Sequence, residues 1–88
     1  MKASSGVLKV FISAGCRGCR RALQLVEWVR RLKPGLSIQV IDLAITPDAG
    51  FGMIFAVPTY VYGNRPVFLG NPSRQELEAW LNTLGAEV

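Results

Sequence analysis

The stretch Ser13-Ala14-Gly15-Cys16-Arg17-Gly18-Cys19-Arg20-Arg21 decides the fold. It holds both cysteines of the chain, spaced Cys-x-x-Cys. An apolar run, Val7 to Ile12, leads into it and reads as a mostly buried strand. A helical pattern, Ala22 to Leu32, leads out of it. A strand, a turn of small residues and a helix with cysteine in its first turn form a chemical device. Helix starts carry unpaired N–H groups and a partial positive charge, and both favour an anion. The Cys16 thiolate is such an anion, so Cys16 is expected to be the more acidic and more exposed thiol. Cys19 lies one helical turn on, within reach of a disulfide formed at Cys16.

The flanking pattern predicts the other elements. Ala22, Leu23, Val26, Val29 and Leu32 recur at steps of three and four, with Leu25 and Trp28 beside them. Glu27 is placed to pair with Arg30 and Arg31. Lys33-Pro34-Gly35 ends the helix. Ser37 to Leu43 reads as a second strand, so strand, helix and strand make a βαβ unit with parallel strands. Thr46-Pro47-Asp48 opens a short middle helix, with Thr46 as cap and Pro47 at the first position. Val57 to Tyr62 is a third strand with Pro58 at its start, Gly63-Asn64 a hairpin turn, and Arg65 to Leu69 the return. Ser73-Arg74-Gln75-Glu76 is a capping box. Leu77, Trp80, Leu81 and Leu84 then form one apolar face, and Gly85 stops the helix. The expected order is βαβ-α-ββ-α: an α/β chain with a four-stranded mixed sheet flanked by three helices. Trp28 and Trp80 are expected in the core. Phe51, Met53, Ile54 and Phe55 are also core candidates, with one or two beside the cysteines as a docking patch.

Composition narrows the chemistry. Half of the 88 residues are hydrophobic, which is enough for one core, so residues 1–88 are read as a single domain. No apolar run reaches the ~18 residues of a membrane span. Met1 to Gly6 is short and polar for a signal peptide, so the expectation is a cytoplasmic protein without a membrane partner. The net charge of +4 comes without interleaved aromatic and basic residues, so it is read as a solvated surface and not as a nucleic-acid site. The absence of histidine removes Cys-His catalysis and His-based metal sites. Two cysteines do not complete a four-ligand metal site within one chain, so no metal is assigned. Three readings of the pair stay open at this point: a redox couple, half of a metal or cluster site shared across a dimer, and an inert pair.

The element order and the Cys16-Arg17-Gly18-Cys19 turn resemble the thioredoxin and glutaredoxin superfamily. Val57-Pro58-Thr59 looks like the family's cis-proline turn, and Gly70 through Leu84 like its closing turn and last helix. The resemblance covers Val7 to Leu84. It implies a thioredoxin fold, a cis Val57–Pro58 bond, and a thiol–disulfide oxidoreductase that works through a mixed disulfide. Cys16 and Cys19 would be catalytic, with Arg17, Gly18 and Pro58 supporting them. Val57, Thr59, Gly70 and Asn71 would contact substrate, Val57 through its backbone and Asn71 through an N–H at the helix start that could hold a glutathione carboxylate. Beyond the redox-active disulfide no cofactor is implied. The implied partners are a disulfide-containing protein or small molecule and, as electron donor, glutathione or a reductase, with the protein itself a monomer. The alternatives are a non-catalytic binding module on the same fold and a metal or cluster carrier. The chain departs from the family at the Arg-Gly between its cysteines, and it lacks a tryptophan before Cys16. Arg17, Arg20 and Arg21 oppose the macrodipole of the helix they begin. Arg17, between the cysteines, is expected to stabilise the thiolate and raise the reduction potential; Arg20 and Arg21 are expected to be solvated.

Overall fold

The computed structural model of the protein describes residues 6–46 and 56–84. Within them the order is β1 (Val7–Ile12), α1 (Cys19–Leu32), β2 (Ser37–Asp42), β3 (Thr59–Tyr62), β4 (Arg65–Leu69) and α2 (Arg74–Asn82). The strands form one mixed sheet in the order β2-β1-β3-β4. β1 and β2 are parallel, with Val10 opposite Val40. β3 runs antiparallel to both β1 and β4, and its pairing with β4 shifts register between Tyr60 and Val61. The expected middle helix, and with it the placement of Phe51, Met53, Ile54 and Phe55, lies outside the described residues.

Local chemistry accounts for the elements. Gly63 and Asn64 both have positive φ, 59° and 67°, which is the two-residue turn whose twist matches a hairpin. Pro66 is tolerated because β4 is an edge strand, where one missing N–H breaks no central ladder. Ser73 Oγ accepts the Glu76 N–H at 3.0 Å, and Glu76 Oε1 accepts the Ser73 N–H at 2.8 Å, so the expected capping box forms.

Ala22, Leu25, Val26 and Val29 of α1 and Leu77 and Leu81 of α2 join Leu8, Val10 and Tyr60 in one buried cluster. Both helices therefore cover the same face of the sheet. Phe11 and Val61, which alternate with Val10 and Tyr60, are buried on the other face. The inward stripe of α1 is narrower than expected: Leu23 and Leu32 are exposed at its margins. The tryptophans also differ from expectation, since both are only half-buried. Arg74 lies over the Trp28 ring, 5.4 Å from its centroid, and Trp80 meets Tyr62 and Phe68 edge to face. Their size suits the rim of a small core, where part of each ring stays wet.

Candidate functional site

The carboxyl end of β1 runs into the cysteine turn. Gly15 takes φ 76°, a left-handed conformation that favours glycine, and the Cys16 N–H returns to the Ser13 carbonyl at 3.3 Å. Cys16 and Cys19 are joined by a disulfide, with their Cα atoms 5.4 Å apart. Cys16 is half-buried and is the more exposed partner; Cys19 is 6% exposed. The helix starts later than the sequence suggests. Cys16 was expected in its first turn, but α1 begins at Cys19, with Gly18 as N-cap. The Cys19 N–H bonds the Cys16 carbonyl at 3.4 Å, and the first full helical bond runs from the Ala22 N–H to the Gly18 carbonyl at 3.0 Å. Residues 16–18 thus form a separate turn in front of the helix, with its positive end directed toward the disulfide.

Two segments, the proline turn and Gly70-Asn71, converge on that turn. The Val57–Pro58 bond is cis, as expected. A Cβ on Gly18 would stand 3.4 Å from Pro58 Cδ and 3.0 Å from Asn71 Nδ2. Gly18 has an ordinary negative φ, −89°, so its backbone does not call for glycine, and the neighbouring Asn71 side chain is what a larger residue would meet first. Gly70, at φ 93°, donates its N–H to the Pro58 carbonyl at 2.8 Å. This bond ties the end of β4 to the proline turn and occupies that N–H. Thr59 is fully buried, and its hydroxyl donates to the Ala56 carbonyl at 2.6 Å. Its side chain therefore supports the turn from inside, whereas substrate contact was expected of it. Val57, which precedes the cis bond, is half-buried.

The Asn71 side chain is tied into the cysteine turn. Its Nδ2 donates to the Gly18 carbonyl at 2.8 Å, and its Oδ1 accepts the Tyr60 hydroxyl at 2.9 Å. Sequence reasoning passed over Tyr60, which lies two residues beyond Pro58. The available signal was a tyrosine next to the proline turn on a strand expected to be central, because a buried tyrosine hydroxyl needs a partner. Burial pushes the Tyr60 hydroxyl up to about 12, with the nearby Arg21 guanidinium pulling the other way.

The surroundings are cationic. Arg17, Arg20 and Arg21 are exposed, and the first turn of α1 holds no acidic residue. Among the described residues the ion pair is Arg30 with Glu27, at the far end of the helix. No cluster of three or more metal-ligating side chains occurs among the described residues, and no helix there is long and apolar enough to cross a membrane.

No family model matches the chain, and neither does any curated protein. Solved structures do. Thioredoxin 1 from the thermophilic eubacterium Thermosipho africanus is similar with a TM-score of 0.66 at 22% identity, over 89% of this chain and 97% of that one. Fasciola hepatica thioredoxin is similar with a TM-score of 0.65 at 17% identity, over 88% of this chain and 78% of that one. The chain has the thioredoxin fold, with its Cys16–Cys19 disulfide at the first strand-to-helix turn.

Proposed function

We propose that the protein is a thiol–disulfide oxidoreductase. One observation carries the reading: the disulfide lies at a strand-to-helix turn with Cys16 as its accessible half and Cys19 behind it. In the reduced protein the Cys16 thiolate attacks one sulfur of a substrate disulfide. A Cys16–substrate disulfide forms and one substrate thiolate leaves. The Cys19 thiolate then attacks the Cys16 sulfur, releases the second substrate thiolate and restores the Cys16–Cys19 bond. Two electrons pass from the dithiol to the substrate. The helix start and Arg17 favour the Cys16 thiolate. Gly18 and Pro58 hold the turn, and in this reading the backbone of Val57 pairs with an extended substrate segment. The substrate is a disulfide in a protein or small molecule, and the donor is glutathione or a thioredoxin-type reductase. The protein acts as a monomer in the cytoplasm, with no bound cofactor and no metal.

The test is a disulfide-reduction assay run in parallel with both donors, on the wild type and on Cys16→Ser and Cys19→Ser. Wild type should turn over with at least one donor. Cys16→Ser should be inactive. Cys19→Ser should trap a mixed disulfide visible by mass. A wild type that turns over with neither donor and alkylates like an ordinary thiol would instead be a binding module. A dimer purified anaerobically with bound zinc or a coloured cluster would be a carrier.

A further inference from the structure

The side chain of Asn71 has its polar atoms turned toward the chain itself. The Gly18 carbonyl only accepts, so the amide nitrogen must face it, and Oδ1 must then face the Tyr60 hydroxyl. The chain of donors is ordered: Tyr60 O–H to Asn71, and Asn71 N–H to Gly18. The Gly18 carbonyl accepts from Asn71 and from the Ala22 N–H, so both its lone pairs are engaged. Gly18 lies between the two cysteines, 53 positions from Asn71 in sequence. Asn71 in turn follows Gly70, whose N–H is bonded to the Pro58 carbonyl. Tyr60, at 1% exposure, roots the network in the core.

We propose that Asn71 is a positioning residue that clamps the Cys16–Cys19 turn in its disulfide-bonded shape through the Gly18 carbonyl. This rests on the reading of the pair as redox-active. When the bond is reduced, the sulfurs must move from bonding distance to at least van der Waals contact, and the peptide between them relaxes. A bracket on the Gly18 carbonyl opposes that relaxation. It therefore favours disulfide over dithiol by keeping the two sulfurs at a high effective concentration. A Cβ at position 18 would stand 3.0 Å from the Asn71 amide nitrogen, so a larger residue there would push on the clamp.

The test is redox equilibration against mixtures of reduced and oxidised dithiothreitol. The protein disulfide and one dithiothreitol give the protein dithiol and one cyclic oxidised dithiothreitol, so the exchange is balanced in atoms and electrons. Asn71→Ala should shift the equilibrium toward the dithiol by about three- to tenfold, the worth of one hydrogen bond. Tyr60→Phe removes the hydroxyl that orients Asn71 and should shift it in the same direction by about two- to threefold. Ser73→Ala weakens the same loop without touching the clamp and should leave the equilibrium where it is. Equal equilibria for wild type and Asn71→Ala would overturn the clamp and leave the redox reading standing. An equal shift in Asn71→Ala and Ser73→Ala would also overturn it, because general loosening would then explain both. A wild-type disulfide that does not exchange with dithiothreitol would overturn the redox reading, and the clamp with it.

Discussion

Tyr60 shows at the residue scale how burial and hydrogen bonding set a pH response. Its hydroxyl is buried, and burial outweighs the opposing Arg21 charge, so the folded protein holds the proton up to about pH 12, against an ordinary tyrosine value of 10.0. The unfolded chain releases the same proton near pH 10. Between these values the folded state binds more protons than the unfolded one, so stability falls as pH rises. The contribution is complete below pH 10 and is lost by pH 12. A shift of this size corresponds to roughly 2–3 kcal/mol. Urea denaturation of wild type and Tyr60→Phe at stepped pH should therefore show an extra loss in wild type above pH 10. Parallel curves would mean that the phenol is solvated. Part of this site was legible in the sequence. The cysteine pair announces itself by spacing, and Val57-Pro58-Thr59 by resemblance. The contact of Asn71 with Gly18 was not legible, because no local pattern joins two residues so far apart in the chain.

At the scale of the element, α1 is built against its own dipole. Its N-cap offers no side-chain bond, its first turn has no acid, and Arg20 and Arg21 stand at its positive end. The last turn has the favourable arrangement, with Arg30 and Arg31 at the negative end. Arg20→Glu should therefore stabilise the fold by about 0.3–1 kcal/mol at low salt, and by less at high salt. The same change puts a negative charge near the Cys16 thiolate and should raise the thiol's pKa. A higher urea midpoint together with slower alkylation at neutral pH is the expected pair of results. A rise in stability with no change in alkylation would place Arg20 outside the reach of the thiol. The missing cap also explains why the start of this helix was misplaced. β1 and β4 have the bounds that their apolar runs and turn residues suggest, and α2 begins where its capping box says. The start of α1 has no such marker, and its reading was drawn forward to Cys16 by the chemistry of the pair.

At the scale of the whole molecule the governing quantity is charge. The chain carries ten lysines and arginines against six acidic residues, and three of the arginines lie within two residues of a cysteine in sequence. The described part is only 17 Å deep along its shortest axis. At low salt the Debye length approaches or exceeds that depth, so the whole charge distribution acts on an approaching disulfide; at 0.5 M salt only the nearest charges do. The salt dependence of the reaction should therefore reverse with the sign of the substrate. The reduced protein should attack an anionic disulfide, such as dithiobisnitrobenzoate, more slowly as salt rises. It should attack a cationic one, such as cystamine, faster. Each change should be roughly three- to tenfold between 0.02 and 0.5 M salt. Comparing slopes and not absolute rates removes the different intrinsic reactivity of the two compounds. Arg17→Gln should flatten both slopes, because Arg17 lies between the cysteines and its charge is the nearest in sequence to the attacking sulfur. If both disulfides respond to salt with the same sign, the arginines at the turn do not steer substrate. In that case their cost to the helix has no return in the rate of encounter.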